Sequence, residues 1–250
     1  MSIDAGRFNW FEYLSNDAGA ARRFYTEVLP WRIEDFAMGP TTYPMIKAGE
    51  ASLGGLAPLP PGVTQPSWVS YVSVDDVEAT ARRVAANGGK LLMDAFEVPT
   101  VGRMQPVADP HGAPLMIFRP LQGDHPEAKG PGSFHWNELW SPDAKAALAF
   151  YTNAFGYTHS AMEMPGGSAY YMLENAGKQR GGIMQSPAAG IPAHWLPYVH
   201  VTDLDATLLR LARNGGKAEG EPMEMPGIGR FAFVRDAQGA RLGLITPTAR

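Results

Sequence analysis

The chain has no cysteine, which excludes disulfides, thiolate metal sites and a cysteine nucleophile. It has no excess of basic charge either: Lys plus Arg number 21 against 25 for Asp plus Glu, a formal net charge of −4. A nucleic-acid or anionic-membrane partner needs a clustered basic surface, so neither is expected. No apolar run approaches the ~18 residues that span a bilayer. The opening Met1-Ser2-Ile3-Asp4-Ala5-Gly6-Arg7 lacks the basic-then-apolar layout of a signal peptide, so a cytoplasmic location is expected. What is present forms a core: 45% of the 250 residues are hydrophobic and 18% charged, too apolar for a disordered chain. At roughly 150 residues per domain, the length fits one large domain or two small ones.

The chain repeats itself. Phe8, Trp10, Glu12 and Asp17 return 126 positions later as Phe134, Trp136, Glu138 and Asp143, and Phe24-Tyr25-Thr26 returns as Phe150-Tyr151-Thr152. Farther along the spacing is 127: Trp68, Tyr71, Asp76 and Asn87-Gly88-Gly89-Lys90 match Trp195, Tyr198, Asp203 and Asn214-Gly215-Gly216-Lys217. Gly54-Gly55 and Gly102-Arg103 match Gly181-Gly182 and Gly229-Arg230 at that same spacing. This is a tandem duplication with a single insertion. Leu121–Ser133, rich in Pro, Gly and charge, has a linker's composition. It places two domains at residues 1–120 and 134–250, joined by 121–133.

Each copy contains two units, because Trp10-x-x-Tyr13 and Trp68-x-x-Tyr71 both precede an Asp and then a helix. In the first unit, Phe8 to Leu14 is β-prone and Asn16 or Asp17 offers a helix N-cap. Ala18, Ala20, Ala21, Phe24, Tyr25 and Val28 follow at helical spacing, with Phe24-Tyr25 expected in the core. Ile33–Met38, Thr42–Lys47 and Ser52–Ala57 then read as short strands. The second unit repeats this with a strand over Val69–Val74 and a helix over Val77–Ala86. Asn87-Gly88-Gly89 ends that helix, since glycine accepts the left-handed conformation of a C-cap. Three more strands close the unit near Leu115–Arg119, the last entered by the turn Asp109-Pro110-His111-Gly112. The expected fold is α+β, four βαβββ units.

Four such units, a helix carrying Phe-Tyr, an Asn-Gly-Gly stop and an Asp-Pro-x-Gly turn before the last strand together resemble the vicinal oxygen chelate superfamily. That is the group of glyoxalase I, bleomycin-resistance proteins and extradiol dioxygenases. The resemblance covers roughly residues 8–120 and 134–247, and within the group it is nearest a tandem glyoxalase-like branch labelled hydroxylase or culture-filtrate antigen. It implies that units pair and curve mixed sheets around a ligand-binding cup. Either neighbouring units pair, or the first pairs with the fourth.

Metal-dependent members place His, Gln or Glu on the first and last strands of paired units, leaving coordination positions open for substrate oxygens. The resemblance maps those positions onto Trp10 and Trp136, Val69 and Leu196, Met116 and Gly243, with Gly54-Gly55 and Gly181-Gly182 on the remaining strand. None of these side chains ligates a divalent ion there, so no metal and no cofactor are expected. His135 neighbours a ligand position but falls on the opposite strand face.

Strand alternation puts Glu12 on the face of Trp10 and Glu138 on that of Trp136. On the partner strand it brings inward Val69, Tyr71 and Ser73, or Leu196, Tyr198 and His200. Trp and Tyr three apart should face opposite sides unless a bulge intervenes. Trp10, Tyr71, Trp136, Tyr198 and His200 are therefore the expected ligand-binding residues, and Glu12 and Glu138 the candidate catalytic ones. A carboxylate among apolar groups suits general acid–base work, and Tyr71 or Tyr198 could steady a developing oxyanion. Arg103 and Arg230 are candidate clamps for a ligand carboxylate. Ser73 opposite His200 predicts two unequal sites. The expectation is a protein that binds a small carbonyl or aromatic metabolite, as monomer or homodimer. The alternative is a metal-independent lyase, isomerase or hydroxylase-like enzyme with Glu12 or Glu138 as general base.

Overall fold

The computed structural model describes residues 2–39, 41–164 and 167–248. Met1 and Arg250, the outer limits of the two expected domains, lie outside them. The first unit comprises β1 (Phe8–Leu14), α1 (Ala18–Val28), β2 (Arg32–Met38), β3 (Thr41–Ala48) and β4 (Ala51–Ala57). The second comprises β5 (Ser67–Ser73), α2 (Val77–Ala86), β6 (Lys90–Leu91), β7 (Phe96–Val98), β8 (Gly102–Ala108) and β9 (Pro114–Pro120). The second copy repeats the series as β10 (Phe134–Ser141), α3 (Ala144–Phe155), β11 (Thr158–Glu163), β12 (Ala169–Asn175) and β13 (Lys178–Gln185). It ends with β14 (His194–His200), α4 (Leu204–Arg213), β15 (Lys217–Ala218), β16 (Met223–Met225), β17 (Gly229–Arg235) and β18 (Arg241–Pro247). Residues 121–133 contain neither helix nor strand.

The fold is α+β, built of four βαβββ units. The second strand of units two and four is broken into two pieces, β6 and β7 both pairing with β8, and β15 and β16 both pairing with β17. In unit two, Gln105 reaches across the break and donates to the Met93 carbonyl at 2.8 Å.

Each helix starts where an Asp can cap it. Asp17, Asp76, Asp143 and Asp203 accept from the backbone N–H three residues on, at 2.8–3.0 Å, satisfying one orphan donor of the first turn. Both α2 and α4 end in an Asn followed by a glycine at φ +84 and +87, a left-handed exit that costs glycine little.

Two mixed sheets result, in the orders β2-β3-β4-β1-β5-β9-β8-β6 and β11-β12-β13-β10-β14-β18-β17-β15. Neighbouring units therefore share a sheet. The compact bodies follow the helices instead. The first contains the chain up to Trp10, Val69–Glu127 and Trp136–Trp195; the second contains Phe11–Trp68, Ala128–His135 and the chain from Leu196 on. The first body thus joins unit two to unit three, with α2 packed on α3, and the second joins unit one to unit four, with α1 packed on α4.

In the first body, α3 inserts Ala147, Phe150, Tyr151 and Ala154 against Val72, Val84, Leu115, Ile117, Leu139, Leu173 and Ile183, all buried. Each fully buried Leu or Ile contributes about 1.5–3 kcal/mol through apolar surface removed from water. In the second body Tyr13, Tyr25, Trp31, Trp68 and Phe134 pack as one aromatic cluster, with neighbouring ring centroids 5.2–5.9 Å apart.

Candidate functional site

Strand alternation orders the side chains as expected. Trp68 packs on Tyr13 among the buried aromatics of the second body, whereas Tyr71 packs with Trp10, Met104, Met116 and Phe118 in the first. Trp and Tyr three residues apart do face opposite sides. On β10 every residue from Asn137 to Ser141 is buried, and Leu139 lies within the helix-covered core. Trp136, Glu138 and Trp140 therefore share the helix-free face.

On that face both indoles of the strand donate hydrogen bonds: Trp136 Nε1 to Tyr170 Oη at 2.7 Å, and Trp140 Nε1 to Glu138 Oε1 at 2.7 Å. Glu138 is buried. Its strand neighbour is Gly182 of β13, and a Cβ added there would lie 1.9 Å from Tyr170 Oη. Glycine is required because the tyrosine ring occupies the space a side chain would fill. Burial pushes the Tyr170 hydroxyl well above its usual range, and the negative charge of Glu138 adds to the shift. The ring of His194 stands edge-on to Trp140, centroids 5.3 Å apart.

The second body repeats the arrangement on the first sheet. Tyr43 of β3 donates to Glu12 Oε1 at 2.8 Å, Glu12 pairs with Gly55 across β1 and β4, and a Cβ on Gly55 would lie 2.1 Å from Tyr43 Oη. Leu14 stands where the second copy has Trp140. Neither Tyr43 nor Tyr170 was among the expected site residues, although they match at the 127-residue spacing and each sits in a strand facing the Gly-Gly pair.

The other expected residues separate between the bodies. Tyr71, Met104 and Phe118 are buried in the first body, with Trp10, Phe96, Val98 and Met116 packed against them. In the second body Tyr198 meets Phe231 and Phe233 edge-on, the three centroids 5.9–6.2 Å apart, and both phenylalanines remain partly exposed. A Cβ on Gly243 would fall 2.5 Å from the Tyr198 ring. His200 lies edge-on to His135 at 5.8 Å, and burial lowers its imidazole from the ordinary value of 6.5. Arg103 and Arg230 are held by Glu78 and Asp205 on the neighbouring helices; these are surface ion pairs, so the clamp role is not supported.

The residues do not fit a divalent metal at the inherited positions. Trp10, Val69, Met116, Trp136 and Leu196 offer no suitable donor, and the tyrosine rings of Tyr43, Tyr170 and Tyr198 fill the space above Gly55, Gly182 and Gly243. Among the described residues, no three His, Cys, Asp or Glu are grouped to hold a metal ion. No helix of the described residues is long and apolar enough to cross a membrane.

Comparison with known proteins agrees with this architecture. The profile described as Glyoxalase/Bleomycin resistance protein/Dioxygenase superfamily matches residues 7–117 and 133–244, and the chain belongs to that superfamily. It is 36% identical over 250 residues to "Putative glyoxylase CFP32" of Mycobacterium tuberculosis, covering 97% of this chain and 95% of that protein. It is 29% identical to the anthracycline biosynthesis protein DnrV of Streptomyces peucetius, covering 94% and 91%. The Mn(II)-bound glyoxalase of Novosphingobium aromaticivorans superposes with a TM-score of 0.68 at 17% identity, over 97% of this chain and 82% of that one. The 2,3-dioxygenase LapB of Pseudomonas sp. KL28 gives 0.67 at 13%, over 98% and 93%. At these identities the two structures establish the fold alone.

Proposed function

We propose that this protein is a metal-independent, small-molecule-binding member of the superfamily, with two domains at residues 1–120 and 134–250. Its ligand is a small aromatic or carbonyl metabolite taken up on the helix-free face of one body: in the first, Glu138 is the polar contact and Trp10, Tyr71 and Trp136 the lining residues; in the second, Glu12 is the polar contact and Tyr198 and His200 the lining residues. The observation that carries this reading is the buried Glu138, whose Oε1 accepts from Trp140 Nε1 on the strand face that also carries Trp136. A fixed polar group on an aromatic wall is the usual form of a small-molecule site. The name of the DnrV relative, an anthracycline biosynthesis protein, supports an aromatic ligand. The second copy is the stronger candidate: Met223 is exposed where the first copy has the half-buried Phe96, and Phe231 replaces the buried Met104.

A second reading is a metal-independent enzyme in which Glu138 takes a proton from the bound compound. The hydrogen bond from Trp140 to Glu138 favours it, since a general base needs a fixed orientation. A cytoplasmic location and a monomer or homodimer complete the proposal.

Native mass spectrometry of the full chain, as purified and after addition of naphthol, tests the proposal. An organic adduct without a divalent ion is expected in at least the second sample. Stoichiometric metal, or no adduct in either sample, would overturn it.

A further inference from the structure

Strand register divides the last unit into two faces. Val234, Leu242 and Leu244 line a narrow gap with Phe24 of α1 and Leu211 of α4, so they lie on the helix side. Residues directly opposite on antiparallel strands share a face, and faces alternate along each strand. The other face of β17 and β18 therefore carries Phe231, Phe233 and Arg235 together with Arg241 and Gly243. Lys217 of β15 stands opposite Arg235, and Met223 of β16 opposite Phe231. The Tyr198 ring covers Gly243 and meets both phenylalanines edge-on. Aromatic rings thus occupy the middle of this helix-free face, and cations one end of it.

The cationic end is not what a sheet needs for its own stability. Arg235 and Arg241 are cross-strand partners, and like charges directly opposite one another destabilise a pair of strands. Glu219 bridges them, accepting from Arg235 Nε at 2.6 Å and from Arg241 Nε at 2.7 Å, which offsets part of the repulsion. With Lys217 added, this end stays net positive in a chain whose formal net charge is −4. Arg235 also donates from Nη1 to the Gly239 carbonyl. Among the described residues its Nη2 has no partner, and the side chain is 32% exposed. At the 127-residue spacing the first copy has Ala108 and Pro114 in place of the two arginines, and the same pair of strands forms without them.

From this layout we infer that the second copy takes an aromatic acid on the helix-free face of unit four, its ring system against Tyr198, Phe231 and Phe233 and its anionic group at Arg235 and Lys217. The inference rests on the binding proposal above and narrows it to one charge class and one half of the second sheet. A guanidinium edge matches a carboxylate in shape as well as in charge. Phe233 and Arg235, two residues apart on one face, are separated by roughly 7 Å along the strand, within the reach of a bicyclic aromatic acid. Glu12 belongs to the first sheet, so its carboxylate is not among the charges of this patch.

Naphthoate and naphthamide have nearly the same shape and differ in charge at neutral pH. Binding of each to the full chain is followed by calorimetry, and its place by the methyl resonances of isotope-labelled methionine. Wild type is expected to bind naphthoate at least about tenfold more tightly than naphthamide, the range for a hydrogen bond to a charged group, with the Met223 methyl shifted by the bound ring. Raising the salt concentration should shrink that preference by screening. In Arg235→Gln the preference should fall to within about threefold. Lys217→Gln alters only an exposed side chain, so it keeps the test open should Arg235→Gln fold poorly, and there the preference should fall part of the way. Glu219→Gln removes the competing carboxylate and should tighten naphthoate by about threefold while leaving naphthamide unmoved; a purely structural ion pair would give no such gain. Equal binding of the two probes by wild type would overturn the inference and leave the binding proposal standing. A preference unchanged in both Arg235→Gln and Lys217→Gln would do the same, as would naphthoate binding that leaves the Met223 methyl unshifted. Failure of naphthoate, naphthamide and naphthol alike to bind would overturn the two together.

Discussion

The Tyr25 hydroxyl donates a 2.7 Å hydrogen bond to Asp236 Oδ2, joining residues 211 positions apart within the second body. Trp68 Nε1 donates to the same tyrosine oxygen at 3.1 Å, and Asp236 Oδ1 receives the backbone N–H groups of Gln238 and Ala240 at 2.9 Å each. The first body has the same relay, from Trp195 through Tyr151 to Asp109, with a longer final bond of 3.4 Å. Phe24-Tyr25 and Phe150-Tyr151 are therefore core pairs in which the tyrosine also makes a polar connection, tying a helix to the turn before a last strand.

Tyr25→Phe should cost about 1–3 kcal/mol, because the buried Asp236 oxygen and the Trp68 N–H both lose a partner. Tyr151→Phe should cost less, its bond being weaker by length. Urea unfolding of the two variants under one condition compares them.

Gly182→Ala should destabilise by about 1–3 kcal/mol, since the new methyl overlaps Tyr170 and the strand backbone cannot yield. Naphthol affinity should fall with it. Combining the change with Tyr170→Ala should recover part of the loss, giving a coupling of about 1 kcal/mol or more in a double-mutant cycle.

Two aspartates of the first body should pull the acid stability profile in opposite directions. The hydrogen bond from Arg180 holds Asp4 below its usual 3.8, so its contribution is present above that value and is lost as pH falls through the lowered one. Burial raises Asp109 above 3.8, so its contribution is full below 3.8 and is lost as pH rises through the raised value. Asp4→Asn should therefore flatten the loss at the most acidic end, and Asp109→Asn the decline above it. Melting temperatures measured across the acid range read both.

Chelation should leave the protein unchanged. Dialysis against a strong chelator is expected to shift neither the melting temperature nor the affinity for naphthol, because the inherited ligand positions carry Trp, Val, Leu, Met and Gly. A clear drop in either quantity would contradict that.

Most of the fold was legible because duplication prints each element twice: the capping aspartates, the Asn-Gly-Gly exits and the Gly-Gly pairs all recur at nearly constant spacing. The site was legible only in part. Alternation sets the strand face of Glu12 and Glu138, but Tyr43, which bonds Glu12, and Tyr170, which lies over Gly182, come from strands two places away, a relationship that local spacing does not encode. The signal was nonetheless present, in the matched tyrosines together with Gly55 and Gly182. Phe231 and Phe233 gave no such signal, because the first copy has Met104 and Pro106 there. The pairing of units was open in the sequence, and both alternatives occur: neighbours share a sheet, while first and fourth, and second and third, share a compact body.

That interleaving bears on how such a chain is made and how it diverges. Unit one emerges first during synthesis, yet the second body lacks Asp236 and its surroundings until the final quarter has been made. A half-length chain would have to meet another copy of itself to complete either body, and both partners would then be identical by symmetry. Fusion removes that constraint. Each copy can change alone, as it has where Leu92 of one faces solvent and its counterpart Glu219 binds Arg235 and Arg241. A single polypeptide of this kind can keep one site as scaffold while the other acquires a new ligand.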